Sequence, residues 1–170
     1  NSGATNQQNP TGVWDSNYKG VWHMHNSSTA VTDSTTSGST GTPDGPNTTF
    51  GIVGKIGNAV STDGSGYKIN FANPSLYIPD TTKTYCFWNK TSQDSGALRF
   101  GSQLSVGHAS GVGLIQVGND NYRYFNTGTI SDNSWHHLCY LVTGVSQNDM
   151  FNNQMWLDGV EQVPGSITVA

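Results

Sequence analysis

The sequence predicts an all-β fold of two layered antiparallel sheets, and three observations carry that expectation. Apolar and polar residues alternate with a period of two, most clearly over Thr84 to Lys90 and Leu138 to Val142. The pairs Asp63-Gly64, Ser65-Gly66 and Asp158-Gly159 supply the positive backbone φ that tight hairpin turns require. Aromatic and charged residues each make up 11% of the chain, and Asn, Ser, Thr and Gly dominate the remainder. Such a composition suits strands joined by Asn- and Gly-rich turns, because aromatics and Thr favour a pleated surface. At 170 residues the chain is of ordinary single-domain size and can bury roughly 70% of its extended surface.

Taken in order, residues 1 to 12 are polar and aperiodic, so residues 1–20 read as an arm or linker from a preceding domain, and 21–170 as the sandwich. Val21 to His25 reads as the first strand, with Val21, His23 and His25 on one face and Trp22 and Met24 on the other. Asn26 to Thr49 reads as a long loop. Its carboxylates, Asp33 and Asp44, are the candidates for a structural calcium, although calcium takes about six to eight oxygens. Ile56 to Ser61 and Tyr67 to Phe71 are expected to pair as a hairpin, after which Leu76 and Ile78 lead into the Thr84 to Lys90 strand. There Tyr85 and Phe87 share one face, and Cys86 and Trp88 the other. Ala97 to Phe100, Gly113 to Val117 and Tyr122 to Phe125 complete the middle of the sheets.

The stretch from Asn133 to Gln162 organises the chain. Leu138, Tyr140 and Val142 alternate with Cys139 and Leu141, and Met155 and Leu157 precede the Asp158-Gly159 turn that sends Val160-Glu161-Gln162 back. Leu138, Tyr140 and Val142 are the more apolar set and should point inward. The opposite set, His137 and Cys139 with Cys86 and Trp88, then lies on an outer face. Ile167 to Val169 starts a last strand.

A Trp-His-His-hydrophobic strand followed by Trp-Leu-Asp-Gly resembles the laminin-G-like and pentraxin-like branch of the concanavalin A-type jelly rolls. Gly54-Lys55-Ile56-Gly57-Asn58-Ala59-Val60, Asp63-Gly64-Ser65-Gly66-Tyr67 and Thr84-Tyr85-Cys86-Phe87-Trp88-Asn89-Lys90 resemble three further strand signatures, in the family's order. The resemblance spans Val21 to Val163 and implies a two-sheet jelly-roll sandwich whose outer Cys86–Trp88 face is concave. It also implies that Cys86 and Cys139 occupy the strand pair joined by a disulfide in pentraxins; the alternative is two buried thiols. Val13 to Met24 looks like the junction at which bacterial surface proteins enter such a module. Trp14 and Tyr18 there would pack at a domain seam or as a lid on the sandwich. Family members continue into a strand with a hydrophobic-Asp-Glu-hydrophobic signature. This chain does not carry it, so the closing strand is expected to be lost or supplied by another segment or chain.

Missing chemistry weighs against several functions. Five Lys and two Arg at a formal charge of −4 cannot neutralise several phosphates, so no nucleic-acid partner is expected. No apolar run approaches the ~20 residues of a membrane span. Glycoside hydrolysis needs two facing carboxyl groups, and Glu161 is the sole glutamate. His136 and His137 are adjacent on a strand and point to opposite faces, and the cysteines lack metal-binding C-x-x-C spacing. His23 and His25 share a face, but no third ligand accompanies them.

What remains is sugar-recognition chemistry, in which aromatic rings stack on pyranose C–H faces and uncharged polar groups meet the hydroxyls. The candidate ligand-binding residues are Trp88 and His137 on the outer face, and Tyr122, Arg123 and Tyr124 on the strand after Asn119-Asp120. Trp22, Trp135 and Trp156 fall in strand signatures and read as packing residues. The expectation is a non-catalytic, extracellular module that binds a polysaccharide or a glycoprotein glycan beside neighbouring domains of the same chain. The alternatives are a structural spacer, a protein-interaction domain or a hydrolase fragment.

Overall fold

Antiparallel β-sheet makes up nearly all regular structure in the computed structural model, which describes residues 9–25, 29–43, 45–65, 69–71, 82–100, 104–117, 121–144, 146 and 148–168. The chain divides into two compact units, Asn1–Leu76 and Tyr77–Ala170. That boundary falls inside the stretch read from the sequence as one sandwich.

In the first unit a single helical turn, α1 (Pro10–Val13), starts where Asn9 accepts a hydrogen bond from the Gly12 amide at 3.0 Å and proline opens the turn. Four strands follow: β1 (Gly41–Pro43), β2 (Thr48–Val53), β3 (Asn58–Thr62) and β4 (Ile69–Phe71). The expected pairing of the third and fourth segments is corrected. β3 pairs with β2, and β4 with β1. The reversal occurs at Gly54–Gly57, where Gly57 takes φ +66° and the Gly54 amide donates to the Gly57 carbonyl at 2.8 Å. Of the Gly54 to Val60 signature that resembled a strand, Gly54–Gly57 is therefore a turn and Asn58–Val60 opens β3.

The expected first strand is corrected as well. Within Val21–His25 only Trp22 makes a β-bridge, to Asp33, and Met24 at φ 56° breaks the extended run. The described residues of the following loop are more ordered than its composition implies. Val31 is fully buried and bridges Gly41, the Trp22 indole donates to the Ser39 carbonyl at 2.7 Å, and Trp22 packs on Phe71 with ring centroids 4.4 Å apart. Asp44, Gly66, Tyr67, Leu76, Ile78 and Val169 lie outside the described residues.

The second unit contains β5 (Lys83–Lys90), β6 (Ser95–Phe100), β7 (Leu104–Ala109), β8 (Val112–Val117), β9 (Asn121–Phe125), β10 (Trp135–Val142), a 3-10 turn (Asp149–Asn152), β11 (Gln154–Leu157), β12 (Val160–Glu161) and β13 (Pro164–Thr168). They form a four-stranded sheet, β12-β11-β10-β5, and a five-stranded sheet, β13-β9-β8-β7-β6. Strand β7 escaped the sequence reading because it runs Leu-Ser-Val-Gly-His-Ala and is buried on both faces, which hides the period of two.

The two sheets face one another across a common core. Leu138, Tyr140, Val142, Met155 and Tyr85 on one sheet and Leu104, Val106, Ile115, Val117 and Phe125 on the other are all at most 9% exposed. The Tyr140 hydroxyl donates to the Gly107 carbonyl on β7, and burial pushes that phenol's pKa up. Gly113 makes room for Met155, since a β-carbon there would lie 2.1 Å from the Met155 sulfur. The inward placement of Leu138, Tyr140 and Val142 fixes which residues of β10 point outward.

Candidate functional site

Register decides which side chains share the outer face of the four-stranded sheet. β10 opposes β5 with Trp135 against Lys90, His137 against Trp88, Cys139 against Cys86 and Leu141 against Thr84. It opposes β11 with Cys139 against Trp156 and Leu141 against Gln154, and Trp156 in turn opposes Glu161. Directly opposed residues project from the same face. One surface therefore carries Trp88, Trp135 and Trp156, with His137 and the two cysteines among them.

Cys86 and Cys139 form a disulfide, with Cα atoms 4.1 Å apart. The separation suits residues opposed at a non-hydrogen-bonded position of an antiparallel pair, where side chains approach most closely. Cys86 is exposed and Cys139 half-buried. Trp88 is 39% exposed, and its ring centroid lies 5.1 Å from that of His137. The His137 Nε2 lies 4.0 Å from the Cys139 sulfur. At the outer rim the Gln154 amide donates to Glu161 Oε1 at 2.9 Å.

The turn at Asp158-Gly159, with φ of 50° and 82°, does more than reverse the chain. Asp158 Oδ1 accepts the His137 amide at 2.8 Å, and Oδ2 lies 2.8 Å from His136 Nδ1. His136 Nε2 lies 3.1 Å from Asp132 Oδ1. The hydrogen bond to Asp158 raises the His136 pKa; burial opposes it and Asp132 reinforces it. Burial works against ionisation of Asp158, but the His137 amide and the His136 ring outweigh it and hold its pKa low. His136 and Asp158 lock the orientation of β10 while His137 faces the other way.

The remaining sequence candidates do not join this face. Tyr122 and Tyr124 lie on the opposite outer surface of the unit, their centroids 6.2 Å apart, and Gln116 donates to the Tyr122 hydroxyl at 3.2 Å. Arg123 alternates away from them. It is 6% exposed, its guanidinium sits 5.8 Å from the Phe125 ring centroid, and burial lowers its pKa. Ser105 and Leu114, on the tyrosine face, are buried, so that face is less open than the Trp88 surface.

Trp135 and Trp156, read from the sequence as packing residues, are half-buried and share this face with the more exposed Trp88. The signal was present in parity, because Trp135 is two residues from His137 and the strand hosting Trp156 is joined to β10 as a hairpin.

Asp33, a calcium candidate, has its carboxylate occupied by protein donors. Oδ1 accepts the amides of Val21 and Thr35 at 3.0 and 2.9 Å. Oδ2 accepts the Thr35 and Ser37 hydroxyls at 2.9 and 2.5 Å and the Ser39 amide at 3.0 Å. Burial opposes ionisation, yet these donors, Ser37 foremost, lower its pKa. Its chemistry is that of a loop hub. The first unit also holds a cleft of about 540 Å³ lined by Trp14, His23, His25, Thr32, Asp33 and Ser34 among others. Trp14 packs edge-on to Tyr18 at 4.8 Å, and His23 and His25 lie 6.0 Å apart.

Among the described residues, the one grouping of potential metal-ligating side chains is Cys86, His137 and Cys139, and the disulfide occupies both sulfurs. No described helix is long and apolar enough to cross a membrane. Comparison with protein-family models, curated proteins and solved structures finds no match to this chain.

Proposed function

We propose that this chain is a non-catalytic carbohydrate-binding or adhesion module with a concanavalin A-like jelly-roll architecture, acting outside the cell. The outer surface of β5, β10 and β11 takes the glycan. The observation that supports this reading is the exposure of Trp88 on a disulfide-braced sheet, beside His137 and on the same face as Trp156. Exposed large aromatics grouped on one surface mark an interaction site, and indole faces stack on the apolar C–H face of a pyranose. Gln154, Glu161 and Lys90 surround them with donors and acceptors for hydroxyls. The bracing matters because a rigid aromatic platform loses little entropy on binding.

Affinity electrophoresis of the whole chain through gels containing neutral or acidic polysaccharides tests the reading. Retardation by at least one polysaccharide, relieved by Trp88→Ala, is expected. A folded chain that migrates freely through every gel overturns the proposal and favours a structural spacer.

A further inference from the structure

We propose that reduction of the Cys86–Cys139 disulfide converts the outer sheet face into a binding site for a thiophilic divalent cation such as Zn²⁺, with Cys86, Cys139 and His137 as ligands. The inference goes beyond glycan binding and does not depend on it.

The geometry comes from β-sheet register rather than from a sequence motif. Cys86 and Cys139 are directly opposed, and His137 lies two residues before Cys139 on the same face. One donor atom from each falls within 4.8 Å of the others. Tetrahedral zinc with sulfur at about 2.3 Å and nitrogen at about 2.0 Å places its ligand atoms roughly 3.5 Å apart. Once the sulfur–sulfur bond is gone, side-chain rotation on this outward face brings the three donors to that spacing without moving the strands.

Two features favour a cation there. His137 is positioned through its backbone, since its amide donates to Asp158 Oδ1 and its carbonyl accepts the Asp158 amide at 2.9 Å. The imidazole is thus presented from a fixed point with Nε2 already 4.0 Å from a sulfur. Cys86 is exposed, so both reductant and metal reach the site, and water can fill the fourth position. The donor set of two thiolates and one imidazole selects zinc or another thiophilic ion over calcium or magnesium, which take oxygen ligands.

The steps balance. A phosphine reductant takes the disulfide to two thiols, giving up two electrons and becoming the phosphine oxide with oxygen from water. The metal ion then displaces one proton from each thiol, and His137 donates its neutral Nε2 lone pair. Disulfide and metal are mutually exclusive, so the redox state selects between two uses of the same residues.

The test is Co²⁺ titration of the whole chain, before and after phosphine treatment, followed by thiolate-to-cobalt charge-transfer absorption, with Zn²⁺ competition for affinity. The reduced chain should bind one equivalent with that absorption, and the oxidised chain none. His137→Ala, verified as folded in its oxidised form, should weaken binding by about tenfold or more once reduced. Cys86→Ser should abolish the charge-transfer band. Absence of the band in the reduced chain, folded or not, overturns the proposal. So does equal affinity in reduced His137→Ala, or equal binding by the oxidised chain.

Discussion

His136 is held between two carboxylates, and the closer one, Asp158 Oδ2 at 2.8 Å from Nδ1, belongs to the turn that reverses the chain after β11. When protonated the ring donates from both nitrogens, to Asp158 and to Asp132. Its pKa is raised in the folded state, so its contribution to stability is full below the ordinary histidine value of about 6.5 and is lost as pH rises through the folded value. The stability difference between the parent chain and His136→Ala, measured by urea unfolding, should therefore be larger at pH 5.5 than at pH 8.5. A difference that is the same at both values contradicts the clamp.

His108 carries the opposite sign. It is 2% exposed, its Nε2 lies 3.5 Å from the Asn89 amide nitrogen, and burial lowers its pKa while Asp94 opposes the shift. The folded state resists its protonation, so stability is lost as pH falls below about 6.5 toward the folded value. His108→Gln should flatten that acid limb in the same unfolding experiment, and an unchanged limb would count against the assignment.

Removing the disulfide should be costly. The cysteines are separated by 53 residues in sequence, and closing such a loop in the unfolded chain corresponds to about 4 kcal/mol in the chain-entropy model. Cys86→Ala with Cys139→Ala should lower the unfolding free energy by up to that amount. No measurable loss would mean that the denatured chain is already constrained.

Asp33 ties Val21, Thr35, Ser37 and Ser39 together through five hydrogen bonds. Asp33→Ala strands several part-buried donors and should destabilise the first unit by about 2 kcal/mol. Asp33→Asn keeps one acceptor oxygen and should cost less. Calorimetry of both variants, with and without added calcium, separates the hub from a metal ligand. A calcium-dependent rise in melting temperature of the parent chain, absent in Asp33→Asn, would restore the ligand reading.

Much of the second unit was legible because β5 and β10 each alternate a more buried and a more exposed face, so the period of two predicts both the strand and its orientation. The inward set Leu138, Tyr140 and Val142 and the outward set Cys86, Trp88 and His137 followed directly. Strand β7 was not legible, since burial on both faces erases the alternation. In the first unit the outcome turned on single backbone angles. Gly57 and Met24 at positive φ convert segments with strand-like composition into a turn and a break. Arg123, expected beside Tyr122 and Tyr124 as a ligand-binding residue, alternates away from them and is 6% exposed, with its guanidinium 5.8 Å from the Phe125 ring centroid.

If the tryptophan face of β5 and β11 grips sugar, the indole N–H resonances of the whole chain report on it most directly. Titration with oligosaccharides cut from a polysaccharide that retards the chain should shift the Trp88 and Trp156 signals. The Trp22 signal, whose N–H is bonded to the Ser39 carbonyl, should stay in place. Shifts that spare both Trp88 and Trp156 while the sugar binds would contradict glycan binding on this face.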